Sequence, residues 1–135
     1  MAPPTTICLD FQMFPDDTPM PLPFTLAGFD FAFFSGGVQA FVNESGAGKG
    51  LQFPDQGLKV KLPLPVTRLS LTVGQFSTPI TIRLSNPNGG TVATATTAVQ
   101  NTYATFSFQL RRRASLVTLI GGNNEGLLSE ICITF

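Results

Sequence analysis

The sequence predicts an all-β chain, an antiparallel β-sandwich of jelly-roll type with about nine or ten strands and its terminal strands adjacent. Three observations predict it. Apolar and polar residues alternate with period two along many short segments. Those segments are separated by Pro, Gly, Asn and Asp, which favour turns. No stretch shows the three-to-four-residue spacing of an amphipathic helix. Many short strands, each apolar on one face, bury those faces by packing two sheets together. An immunoglobulin-like sandwich fits less well, because the chain has no Trp and its cysteines lie at the ends.

The elements follow in order. Ile7, Leu9 and Phe11 alternate with Cys8 and Asp10 as a first strand. Residues 12–23, "QMFPDDTPMPLP", hold four prolines and read as an extended linker between the first and second strands. Phe29, Phe31 and Phe33 alternate with Asp30 and Ala32, and a weaker strand is expected near 38–42. "NESGAGKG" (43–50) reads as a glycine-rich loop and "PDQG" (54–57) as a turn. Strands follow at 58–62, 69–73 and 80–84. "SNPNGG" (85–90) is a hairpin signal, because Asn-Gly readily takes positive φ. A weaker strand at 90–97 leads to one at 105–110. "RRRAS" (111–115) reads as a charged hairpin turn before a strand at 114–120. "GGNNEG" (121–126) is a loop, and Ile131, Ile133 and Phe135 close the chain.

At 135 residues the chain forms one domain, 1–135. Zero net charge and no basic stripe argue against nucleic acid. No apolar run reaches the roughly 18–20 residues of a membrane helix, and "MAPPTTI" lacks the features of a secretory signal. There is no histidine, so the commonest general base is missing. "GAGKG" (46–50) fails the phosphate-loop pattern, with Asn43 where the first glycine belongs and Gly50 where Ser or Thr belongs. Ser115 in "RRRAS" resembles a kinase acceptor, and the three arginines could hold an anionic sugar or headgroup. "NES" (43–45) is a glycosylation sequon. No catalytic constellation is visible, and the chain is expected not to be an enzyme.

The two ends match: "TTICLDF" opens the chain and "SEICITF" closes it. An antiparallel register that sets Cys8 opposite Cys132 also sets Asp10 opposite Glu130. The cysteines are then either two buried thiols or a disulfide. A disulfide would imply an oxidising compartment and, closing nearly the whole chain, stabilise by about 4–5 kcal/mol in the loop-entropy model. Opposed carboxylates repel. So the register differs, a cation such as Ca²⁺ sits between them, one is protonated, or the pair stands in water.

The order "CLDF", "GFDFAFF", "GKGLQF", "VKLPLPVTRLSLTV", "PITIRLSNPNGGTVATA", "TFSFQL" and "ASLVTLIGGNNEGLLSEICITF" resembles the galactose-binding-domain-like jelly rolls, which include many carbohydrate-binding modules and discoidin-like domains. The resemblance implies a non-catalytic recognition module, lectin-like and most often for glycans. Some such modules carry a structural calcium near the terminal strands, where Asp10 and Glu130 lie. They usually stack sugars on exposed Trp or Tyr, whereas here Tyr103 and Phe34 are the candidates. The expected ligand contacts are Tyr103, Arg68, Arg83, Asn88, Asn123 and Asn124, on a polar sheet face rich in Ser and Thr or on the loops. The expected partner is a glycan or other cell-surface ligand, with an extracellular or surface location favoured. The alternatives are a self-assembling protomer of a capsid, fibre or appendage, with the 12–23 segment as an arm reaching other copies, or an accessory domain of a larger extracellular protein.

Overall fold

Period-two patterning can bury one face of each strand only if the strands stack in layers, and the computed structural model shows how. It describes residues 3–34, 39–46 and 48–135. Eleven strands form among the described residues, all paired antiparallel. They are β1 (Thr6–Asp10), β2 (Pro19–Pro21), β3 (Phe24–Leu26), β4 (Phe29–Phe33), β5 (Gln39–Ser45), β6 (Gly48–Phe53), β7 (Leu58–Gln75), β8 (Ile80–Ser85), β9 (Thr91–Thr96), β10 (Thr102–Gly121) and β11 (Gly126–Thr134).

Two long strands belong to both layers. The first half of β7 pairs with β4 on one side and with residues 116–119 of β10 on the other. Its second half pairs with β11 and with residues 102–109 of β10. The first layer therefore runs β3-β4-β7-β10-β8-β9. The second runs β10-β7-β11, then β6-β5-β2, with β1 beside β6 along the same edge of β11. The crossing points are visible in the ladder. Its register shifts between Gln109 and Leu116, and the opposite stretch of β7 carries Pro63 and Pro65. Proline cannot donate to a ladder, so it suits a corner where pairing is interrupted.

The inner faces meet in one core. Phe29 and Phe31, Leu58 and Val60, Val117 and Leu119, and Ile80 and Ile82 come from the first layer. Leu71, Val73, Leu128, Ile131, Val42 and Leu51 come from the second. A single turn of 3₁₀ helix, Phe11–Met13, follows β1 and drives Phe11 edge-on into Phe31, with ring centroids 5.6 Å apart. Burying a side chain of this size contributes about 1.5–3 kcal/mol.

The terminal strands pair in the register the matching ends suggest, Cys8↔Cys132 and Asp10↔Glu130. The cysteines are joined by a disulfide spanning 124 residues. Three local expectations are corrected. Residues 12–23 are not simply a linker: they contain the 3₁₀ turn and β2, which pairs with β5. Asn43 to Gly50 is not an open loop, because β5 and β6 pair through Asn43↔Gly50 and Ser45↔Gly48; residue 47 lies outside the described residues. Gly50 belongs in that strand because a Cβ there would sit 2.8 Å from the Leu128 carbonyl. Arg111, Arg112 and Arg113 form no hairpin turn, since β10 runs unbroken through them. At a corner between layers both faces of a strand meet water, so a strand tolerates three charges in a row there.

Candidate ligand face

The outer face of the first layer is built by alternation against the core. Val117 and Leu119 point inward and are fully buried, so Leu116, Thr118 and Ile120 point out. The same rule turns out Lys59 and Lys61 on β7, Thr81 and Arg83 on β8, and Asp30 and Ala32 on β4. The register aligns them in rows. One runs Ala32, Lys59, Thr118, Arg83, Thr94 across five strands. Four strand spacings make it about 19 Å wide. A neighbouring row carries Ile120, Thr81 and Thr96.

The Ile120 end of that row is apolar and open. Phe34 is 44% exposed and Ile120 is 42% exposed. The two meet over Gly57, where a Cβ would lie 2.8 Å from the Phe34 ring and 3.0 Å from Ile120. Gly57 has φ +119°, so the position favours glycine on both counts. The Phe34 amide donates to the Gly57 carbonyl at 3.2 Å, which fixes the ring's base. The Lys59 ammonium sits 5.0 Å from the Phe34 ring centroid, a cation–π contact. Across the face, Arg83 is anchored: Nε donates to Thr91 Oγ1 at 2.5 Å and Nη2 to the Gly89 carbonyl at 3.4 Å. The "SNPNGG" hairpin thus serves as a brace for one guanidinium. Between Lys59 and Arg83, Thr118 is only 5% exposed although it stands on the solvent side. Its Oγ1 is buried and has no hydrogen-bond partner among the described residues.

The other sequence-predicted residues are dispersed. Arg68 stands on the outer face of the second layer, opposite Gln109 and Thr134. Asn88 is exposed at the tip of the 86–90 hairpin, its amide donating to Asn86 Oδ1. Asn123 and Asn124 lie at the opposite end, both at positive φ, and lock the 121–126 loop to Asp55. Asn124 also lines a cleft of about 300 Å³ with Phe33, Phe41, Gln52 and Phe53. Tyr103 is half-buried. Its ring covers Gly74 and Gly48 and packs edge-on against Phe76, with centroids 5.4 Å apart. Its hydroxyl donates to the Ser45 carbonyl at 2.9 Å. Burial pushes its pKa up to about 12, and the nearby Glu44 carboxylate adds a smaller push in the same direction. Of the six expected contacts, only Arg83 lies on the first-layer face. Thr118 and Ile120 were missed because 114–120 was expected as a strand with no outward face assigned to it.

The calcium expectation can be tested against the donors. Glu130 lies with Cys8 and Cys132 in a cluster whose ligand atoms fall within 4.8 Å of one another. The two sulfurs are bonded to each other and offer no thiolate. Asp10 Oδ1 accepts the Gln12 amide at 2.9 Å as the cap of the 3₁₀ turn. Ca²⁺ takes six to eight oxygen ligands, and this donor set does not fit it.

No protein-family model and no curated protein matches the chain. Among solved structures, a family 29 carbohydrate-binding module from Piromyces equi superposes with a TM-score of 0.59 at 10% identity, over 98% of this chain and 91% of that one. A variant of a second family 29 module gives 0.58 at 10% identity, over 96% and 91%. A further variant, complexed with mannohexaose, gives 0.50 at 11% identity, over 98% and 93%. At such identities the likeness is one of fold. The chain has the jelly-roll β-sandwich of carbohydrate-binding modules, over nearly its whole length.

Proposed function

We infer that the protein is a non-catalytic carbohydrate-binding module whose ligand lies along the outer face of the first layer. The observation that carries this reading is the Phe34–Ile120 platform running into a row of Lys, Thr and Arg donors. A sugar ring presents an apolar face and a rim of hydroxyls, and this surface offers a partner for each. The fold shared with family 29 modules supports the reading by analogy. The mannohexaose bound by one of them supports a polysaccharide rather than a small sugar as the ligand class. The row of about 19 Å suits an extended chain. No residue is assigned a chemical step, and no calcium is assigned a role. The disulfide supports an extracellular or surface location, since such bonds persist in oxidising compartments.

The test is binding of the purified protein to a panel of plant and microbial polysaccharides by affinity electrophoresis. Retardation that Phe34→Ala abolishes is the expected result. Retardation by no polysaccharide would sink the reading.

One observation favours self-association as a second reading. Over residues 102–110, β10 pairs only with β7, and its other edge has no ladder partner among the described residues. That edge, "TYATFSFQL", carries no charge and no proline, the usual guards of a free edge. Light scattering at rising concentration distinguishes a monomer from an assembly.

A further inference from the structure

The first-layer face carries a charge that binding a neutral sugar does not require. The chain has no net charge, yet Lys59, Lys61 and Arg83 share this face with one carboxylate among the described residues, Asp30. Asp30 Oδ1 is taken by the Thr25 hydroxyl at 2.5 Å. The second-layer face has the reverse balance, with Asp10 and Glu130 against Arg68. Lys59 and Arg83 flank Thr118 in one row, so two strand spacings separate their Cα atoms, about 9–10 Å. Arg83 is held by the hairpin through two of its five N–H groups, which leaves three to donate. Between the two residues stands Thr118, whose buried Oγ1 has no hydrogen-bond partner among the described residues. A guanidinium braced by the hairpin, an ammonium resting over the Phe34 ring and a hydroxyl in need of an acceptor all suit an acid group.

We propose that the Lys59–Thr118–Arg83 row makes this face selective for an anionic glycan. The ring of a uronate or sulfated sugar packs toward Phe34 and Ile120 with its acid group on Lys59, and Arg83, whose guanidinium is turned toward the hairpin, meets the acid group of a later sugar of the same polymer. The proposal rests on the glycan reading above and specifies its ligand. Phe34 supplies the apolar contact, Arg83 the two-pronged contact, Lys59 the point charge, and Thr118 a donor that gains its missing partner.

The experiment is affinity electrophoresis in gels containing polygalacturonate, dextran sulfate or neutral mannan, at low and high salt. The expected result is retardation by at least one acidic polymer, weakened by salt and reduced about tenfold or more by Lys59→Gln and by Arg83→Gln. This follows because partly exposed charge pairs are screened by ions. Retardation by polygalacturonate assigns a carboxylate, and retardation by dextran sulfate alone assigns a sulfate; both support the proposal. Arg83 also braces a hairpin, so Lys59→Gln, which has no such role, keeps the test decisive if Arg83→Gln misfolds. Retardation by mannan alone, with Lys59→Gln unaffected, overturns acid selectivity and leaves the glycan reading standing. Loss of acidic binding only in Arg111→Gln or Arg112→Gln moves the site to the corner of β10 and overturns the proposal. Binding of no polymer defeats the glycan reading itself.

Discussion

The two outer faces of the sandwich are made by the same alternation, but they differ in what their side chains are occupied with. On the second-layer face several groups are committed to the fold. Cys8 and Cys132 are bonded to each other, Thr6 and Thr134 share a hydrogen bond at 3.1 Å, and Thr72 and Thr105 share one at 2.8 Å. Asp10 caps a turn. On the first-layer face Phe34 and Ile120 stay open to solvent, and the Thr118 hydroxyl has no hydrogen-bond partner among the described residues. A face whose groups are satisfied internally holds structure. A face with unsatisfied groups is where a ligand gains most.

The largest effect that can break this comparison lies on the second-layer face. Removing the disulfide by Cys8→Ser with Cys132→Ser should destabilise the fold by about 4–5 kcal/mol in the loop-entropy model. Denaturant unfolding measures it, and the double variant should still bind polysaccharide where it remains folded. A loss below about 1 kcal/mol would mean that β1 is held by its ladder alone.

Next in size is the Phe34 platform. Phe34→Ala should weaken polysaccharide binding roughly tenfold, about 1.4 kcal/mol. Its effect on the melting temperature should be small, because the ring is 44% exposed. A large stability loss with intact affinity would make Phe34 a packing residue and reverse the assignment of the faces.

Thr118→Val sharpens the contrast further. It removes a buried hydroxyl with no partner among the described residues at nearly constant volume. The free protein should become more stable by about 1 kcal/mol while its affinity for the ligand falls. A destabilised variant would show that the hydroxyl is satisfied in solution.

Tyr103 gives a smaller, spectroscopic test. It is the chain's single tyrosine, so tyrosinate absorbance reports it alone. Its folded pKa of about 12 lies above the unfolded value of 10.0. The stability it contributes is therefore present below pH 10 and lost as pH rises through about 12. A midpoint near 10 in the folded protein would put the ring in water and return it to the list of ligand contacts. The smallest expected effect is none: a chelator should leave the melting curve unchanged, as follows from the donor set around Glu130.

Much of the fold was legible in the chain. The alternation Phe29-Phe31, Leu58-Val60, Ile80-Ile82 and Ile131-Ile133 marks strands, because a pleated backbone sends successive side chains to opposite faces whatever surrounds it. The matching ends carry the register of β1 and β11. Local patterning misread the corners. "RRRAS" has the composition of a turn, and only a strand leaving one layer for the other gives three arginines water on both sides. "NESGAGKG" has the composition of a loop, yet Gly50 is glycine because Leu128 lies against it.

The candidate site was less legible than the fold, for a reason of distance along the chain. Phe34, Lys59, Arg83 and Thr118 come from four separate segments. The sequence by itself turned Lys59 and Arg83 away from the core, since alternation is a local property of the backbone, and it offered Phe34 as an exposed aromatic but left Thr118 without a face. Only the tertiary structure decided that β7 and β10 are neighbours, that β8 lies beyond them, and that the four side chains share one face. Strand order is set by which apolar faces pack together across the whole sandwich, and no short window of sequence contains that information.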